Sequence, residues 1–264
     1  MDEQQLILVG ARRITADTDP EELVLTQEAE KRLGWIADWL NQSPRLAGDS
    51  GLKRYIDGGL RAVFRGPGGT GKTMAAVALA RATGRDLYRV GVDLVVSKYI
   101  AETERNLRQF FGHARDNGAI VLFDEADALL GKRSEVKDSH DHCANVELSH
   151  LLQRIEAFEG LAILTTNRTG DLPYDAISRI DVLIDFAMPD EAARKLLWGK
   201  ILAAVKVPQG DLDIPELAAR HALSGAEILR AARLAASIAM STDRKLDMEL
   251  LQSAAAERVS MRGE

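Results

Sequence analysis

Gly66-Pro-Gly-Gly-Thr-Gly-Lys-Thr73 is the stretch that decides the fold of this chain. It fits the pattern G-x-x-x-x-G-K-[ST], in which glycines let backbone N–H groups converge on phosphate oxygens without Cβ clashes. Before it, Arg61-Ala-Val-Phe-Arg65 is short and apolar-centred and suits a buried strand; after it, Met74-Ala-Ala-Val-Ala-Leu-Ala80 suits a helix. Strand, glycine loop, helix is the context the motif needs. The loop residues Gly66, Pro67, Gly68, Gly69, Thr70 and Gly71 would wrap a polyphosphate, and the helix N-terminus adds partial positive charge. Lys72 would reach the β and γ oxygens, and the Thr73 hydroxyl would ligate Mg²⁺. The plain alternative is a glycine-rich turn before a helix.

Working outward, apolar strand-like runs alternate with helical stretches from residue 61 to 186. The strand candidates are Arg61–Arg65, Asp86–Val90, Ala119–Asp124, Leu161–Thr166 and Val182–Phe186. Helices are expected over Lys72–Ala82, Thr103–Asn117 and Asn145–Glu159. Leu107, Phe110, Phe111 and Ala114 form one helical stripe; Leu148, Leu151, Leu152, Ile155 and Phe158 form another. Five strands alternating with helices imply an α/β fold with a doubly wound parallel sheet that binds its ligand at the strands' C-terminal ends. After Pro189, Glu191–Val205, Ile214–His221, Gly225–Ser241 and Leu246–Arg258 all read as helices, a small all-helical lid domain. Ahead of the sheet lies one helical segment, Thr26–Leu40, closed by Asn41-Gln-Ser-Pro44. The expected division is residues 1–48 as helical segment and linker, 49–188 as the α/β domain, and 189–264 as the lid.

The chain of 264 residues, 46% hydrophobic and 28% charged, is long enough for one domain plus a smaller one and ordinary for a soluble protein. A net charge of −6 speaks against a dedicated nucleic-acid binder, since phosphate contacts need a basic face. The single Cys143 allows no internal disulfide, in keeping with a reducing cytosol. No apolar run approaches the ~20 residues of a spanning helix. The start, Met1-Asp-Glu-Gln-Gln, is acidic where a signal peptide is basic. A soluble, cytoplasmic protein with no membrane partner is the expectation.

Ile120-Val-Leu-Phe-Asp124-Glu125 is an apolar strand ending in two acids. Beside a phosphate loop, Asp124 would hold Mg²⁺ and Glu125 would polarise the attacking water as general base. By itself the pair is a solvated strand end. Leu161-Ala-Ile-Leu-Thr-Thr-Asn167 is a further apolar strand. The neutral amide of Asn167 at its tip would position that water and sense the γ-phosphate; alone, it is a turn residue.

Taken together, these motifs resemble those of a classical-type AAA ATPase of the AAA+ class, a P-loop NTPase, over roughly residues 20–260. Walker A falls at Gly66–Thr73, Walker B at Ile120–Glu125 and sensor 1 at Asn167. The resemblance implies ATP and Mg²⁺ as cofactors and a homo-oligomeric ring, usually a hexamer, with ATP bound between subunits. The segment Asp175-Ala-Ile-Ser-Arg179-Ile-Asp181 matches the region of the family's arginine fingers. Many relatives carry two arginines there. This chain has Ser178 and then Arg179, so Arg179 is the finger candidate, or else a helix-end arginine paired with Asp181 or Asp185. Ser97-Lys98-Tyr99-Ile100-Ala101-Glu102-Thr103-Glu104 resembles the first pore loop, whose aromatic grips a translocating polypeptide. Lys98, Tyr99 and Ile100 would form that grip, with Tyr99 as a core anchor the other reading. Ala101 stands where relatives have Gly.

Ser224-Gly225-Ala226-Glu227 is similar to the family's small-domain segment near adenine, which makes Gly225 and Ala226 nucleotide contacts. Glu135-Val-Lys-Asp-Ser-His140-Asp-His142-Cys143 has no clean second ligand pair and reads as a solvated loop rather than a metal site. The likeness extends, over Lys98–Leu107 and Asp124–Asn167, to bacterial AAA ATPases of which some accompany contractile injection systems. The implied function is a ring-forming ATPase that remodels or threads a protein substrate. A nucleotide-switched assembly factor that threads nothing is the second reading, and a DNA-associated AAA+ protein the third.

Overall fold

The computed structural model describes residues 6–7, 10–14, 23–46, 58–92, 100–130 and 139–262. All five expected strands form within about a residue of their expected bounds: β2 (Leu60–Arg65), β3 (Leu87–Gly91), β4 (Ile120–Asp124), β5 (Leu161–Thr166) and β6 (Val182–Asp185). They are parallel, and a further short strand, β1 (Ala11–Ile14), pairs antiparallel with β3 at the sheet's edge. The six-stranded order is β1-β3-β4-β5-β2-β6. Near-continuous aliphatic runs such as Leu161-Ala-Ile-Leu suit strands buried on both faces. β1, only Ala-Arg-Arg-Ile with both arginines exposed, carries no such signal.

The chain folds as two compact units. The first holds the sheet, with residues 27–65 and 72–185; the second joins residues 66–71 to the helices after residue 185. In the first unit, α1 (Gln27–Leu46) packs on α2 (Lys72–Thr83) and on β6. Helices α3 (Ile100–Asp116), α4 (Asp127–Leu130) and α5 (Ser139–Glu156) follow β3 and β4. Phe110 and Ala114 of α3, Leu151 and Ile155 of α5, and Val63, Val121, Phe123 and Leu164 of the sheet share one buried cluster. The two expected stripes thus face the core. A one-turn helix, α6 (Tyr174–Ile177), precedes β6.

Two helix ends differ from expectation by six residues each. α1 runs through Pro44 to Leu46 instead of ending at residue 40. A proline at position 44 withholds the N–H that would bond the Leu40 carbonyl, and the guanidinium of Arg85 donates to that carbonyl at 2.7 Å. α5 starts at Ser139 rather than Asn145, which puts His140, His142 and Cys143 in a helix and not in a loop.

The second unit carries α7 (Glu191–Ala204), α8 (Ile214–Arg220), α9 (Gly225–Ser241) and α10 (Met248–Ser260) around buried Trp198, Leu217, Ile228, Ala235 and Leu251. Three of these starts, of α7, α8 and α10, are set by aspartate caps: the carboxylates of Asp190, Asp213 and Asp247 accept from the amides of Ala193, Glu216 and Leu250. The cap at Asp247 is why α10 begins at Met248 and not at Leu246. Among the described residues no helix is long and apolar enough to cross a membrane.

Candidate active site

The parallel register aligns the strand tips. Phe64 and Arg65 lie beside Thr165 and Thr166, Phe123 lies beside Leu164, and Gly91 beside Asp124. α2, which follows the phosphate loop in sequence, therefore starts next to the ends of β4 and β5. Lys72, its first residue, is 7% exposed, and its Nζ donates to Asn167 Oδ1 at 2.9 Å. Burial pushes the Lys72 ammonium below its ordinary range, against the pull of Asp124, Asp127 and Glu125. The Thr73 hydroxyl lies 3.3 and 3.4 Å from the two oxygens of Asp124. Four predicted site residues thus meet in the first unit: Lys72, Thr73, Asp124 and Asn167.

Glu125 sits at the tip of β4, exposed, with a left-handed backbone at φ 56°. That conformation is uncommon for a non-glycine residue and costs on the order of 1–3 kcal/mol, a cost met most often at functional sites. Thr165 holds it in place. Its buried hydroxyl donates to Asp124 Oδ1 at 2.5 Å and accepts from the Glu125 amide at 3.0 Å. The next amide, of Ala126, donates to the Thr165 carbonyl at 2.8 Å. Thr166, also buried, donates to Asp127 Oδ1 at 2.6 Å.

Sequence reasoning gave Thr165 and Thr166 no role. The signal was there: two hydroxyls closing a fully apolar strand must find partners once buried. It also missed Arg89 of β3, whose Nη2 lies 2.6 Å from Asp124 Oδ2. A charge inside the otherwise apolar run Leu87-Tyr-Arg-Val was the clue.

Arg179 pairs with neither Asp181 nor Asp185. Asp181 is taken by Arg61 at 2.9 Å and Asp185 by Arg65 at 2.6 Å. Arg179 instead pairs with Glu156 at the end of α5 and donates to the Asp175 carbonyl at 3.0 Å. Lys98 and Tyr99 lie outside the described residues; Ile100 is the first residue of α3.

In the second unit, the loop Gly66–Gly71 is left-handed at Gly66, Gly69 and Gly71, and alternating left-handed residues form anion-binding concavities. A Cβ at Gly66 would lie 2.0 Å from the Phe186 carbonyl oxygen, so no other residue fits. Pro67, Gly68 and Thr70 complete the turn, and the Thr70 hydroxyl donates to the Pro67 carbonyl at 2.9 Å. Ala226 donates its amide to the Gly69 carbonyl at 3.1 Å, and Gly225 lies beside that same carbonyl. Gly69→Ala would bring a Cβ within 2.8 Å of Ala226 Cβ and Ser224 Oγ at φ 78°. We expect it to cost about 1–3 kcal/mol of stability and to weaken nucleotide binding about tenfold or more. Thermal melting and titration with fluorescent ADP check this; binding equal to wild type would show that the contact is dispensable.

The donors fit the groups expected of them. Thr73 and Asp124 offer only oxygen, which suits a hard cation such as Mg²⁺ that keeps several waters. The glycine loop and Lys72 suit a phosphate chain.

Residues 62–188 match the model of the family described as "ATPase family associated with various cellular activities (AAA)". The chain is 36% identical over 160 residues to the 26S proteasome regulatory subunit 10B of Dictyostelium discoideum, a match covering 58% of this chain and 40% of that one. It is 30% identical over 227 residues to the 26S proteasome regulatory subunit 6B homolog of Encephalitozoon cuniculi, covering 81% and 58%. The chain thus spans roughly half the length of these curated relatives, both named as 26S proteasome regulatory subunits. Among solved structures, the FIGL-1 AAA domain superposes with a TM-score of 0.73 at 18% identity, covering 97% of this chain and 89% of that one. That likeness supports the fold.

Proposed function

From a chain whose residues 62–188 match the AAA ATPase family model, we propose an Mg²⁺-dependent ATP hydrolase of that family that assembles into a ring, a homo-hexamer by family likeness, and remodels or threads a protein substrate. The observation that carries it is the cluster of Lys72, Thr73, Asp124 and Asn167 at the tips of parallel strands, with Glu125 held beside it. Gly66–Gly71 and Lys72 bind the phosphates, and Gly225 and Ala226 approach the nucleotide from the helical side of the sequence. Thr73 and Asp124 would hold Mg²⁺, which when bound neutralises charge on the phosphate oxygens. Asn167 and Lys72 orient the γ-phosphate and the lytic water. Glu125 accepts a proton from that water as its oxygen bonds to phosphorus and the β–γ bridge breaks. Arg179 would serve the site of a neighbouring copy.

Lys98, Tyr99 and Ile100 are the proposed grip on the polypeptide, and the cytoplasm is the proposed compartment. Motif likeness over Lys98–Leu107 and Asp124–Asn167 is the ground for likening the chain to bacterial AAA ATPases of which some accompany contractile injection systems. Phosphate release measured with and without Mg²⁺, alongside particle size with and without ATP, tests the core of the reading. An inert monomer under all conditions would overturn it. Tyr99→Ala should still assemble and hydrolyse ATP, yet lose at least tenfold in ATP-driven work on a protein substrate, on the scale of a lost aromatic anchor. A Tyr99→Ala protein that works normally would leave the assembly-factor reading in its place.

A further inference from the structure

We infer that Arg89 is the built-in counter-ion of Asp124 and sets how much divalent cation the site requires, a role that rests on the ATPase reading above. β3 and β4 run parallel, with Arg89 opposite Leu122 and Gly91 opposite Asp124. Residues two apart on a strand share a face, so Arg89 and Gly91 lie on one side of β3. Gly91 has no side chain, which leaves the place beside Asp124 open. The Arg89 guanidinium extends along the strand into it and meets Asp124 Oδ2 at 2.6 Å.

Asp124 is therefore fully engaged. Oδ1 accepts from Thr165 at 2.5 Å, Oδ2 meets Arg89, and the Thr73 hydroxyl faces both oxygens. The pair is neither deep nor free: the side chains are 33% exposed at Arg89 and 12% at Asp124. At that depth a charge-assisted contact is shielded from solvent on the carboxylate side, while the guanidinium keeps a route to water. Arg89 can thus swing away without unfolding the strand. A divalent cation approaching Thr73 and Asp124 finds a carboxylate already neutralised by a cation. Two cations that share one carboxylate repel, enough for roughly tenfold in affinity even at a water-like dielectric. Arg89 also keeps Asp124 paired whenever the cation leaves, which spares the protein an uncompensated, largely buried charge.

Arg89 is a positioning residue: it touches Asp124 and acts through it. The test uses Mn²⁺ as a paramagnetic stand-in for Mg²⁺, titrated into the full chain with saturating ADP and read by electron paramagnetic resonance. Arg89→Gln should lower the Mn²⁺ concentration for half-saturation roughly tenfold, while ADP affinity measured in EDTA stays unchanged. Arg89→Lys, which keeps the charge, should titrate close to wild type. Arg89→Met keeps the aliphatic stem and carries the same test if the Gln protein does not fold. Mn²⁺ binding by the neutral variants that equals or falls below wild type, with ADP still bound, overturns the inference alone. A wild-type chain that binds no ADP overturns the ATPase reading and this inference with it.

Discussion

Glu125→Gln is expected to bind ATP as well as wild type and to turn it over about 10²–10⁴-fold more slowly, the range lost with a general base. The amide is nearly isosteric and keeps the backbone hydrogen bond to Thr165 Oγ1, because that bond is made by the residue's own N–H. The left-handed turn at φ 56° should survive too, since glutamine tolerates it no worse than glutamate. What is lost is the basic oxygen. Phosphate release and nucleotide titration on the same preparation separate the two effects. Normal hydrolysis by this variant would remove Glu125 from the mechanism.

In the ring proposed above, Arg179→Ala should cost more, on the order of 10³–10⁵ in turnover, the range of an arginine supplied in trans. In the single chain Arg179 is held by Glu156 and the Asp175 carbonyl, at 43% exposure of its side chain. An ion pair that open to water contributes only about 0–1 kcal/mol, so releasing Arg179 to a neighbouring site costs little. Two controls make the expectation sharp. Mixing Arg179→Ala with Glu125→Gln protein should restore hydrolysis, because some sites then combine an intact base with an intact neighbouring arginine. Glu156→Gln should leave turnover nearly intact if Arg179 acts on a neighbour. If Arg179 matters only through its pair with Glu156, that variant will be as slow as Arg179→Ala, and mixing will rescue nothing.

Much of the fold was legible because it is written in short-range pattern. The aliphatic runs at residues 120–124 and 161–166 and the stripes of α3 and α5 need only period and composition. β1 was not legible, since four residues with two exposed arginines become a strand only through the edge of β3. The length of α1 was misread for a related reason. Pro44 is a local stop signal, overridden by a partner for the Leu40 carbonyl that comes from Arg85, 45 residues away.

The candidate site divides along the same line. The octapeptide Gly66–Thr73, the acids closing β4 and the amide at Asn167 are each confined to a few neighbouring residues, so the sequence alone determined a loop of the phosphate-binding pattern, the acids and the polar strand tip. Only the tertiary structure decided what those groups touch. Lys72 reaches Asn167 across 95 residues, Thr165 locks Asp124 and Glu125 across about 40, and Arg89 neutralises Asp124 from a neighbouring strand. Those contacts follow from strand order and register, which arise when distant apolar faces are buried together, and no local period in the chain encodes them.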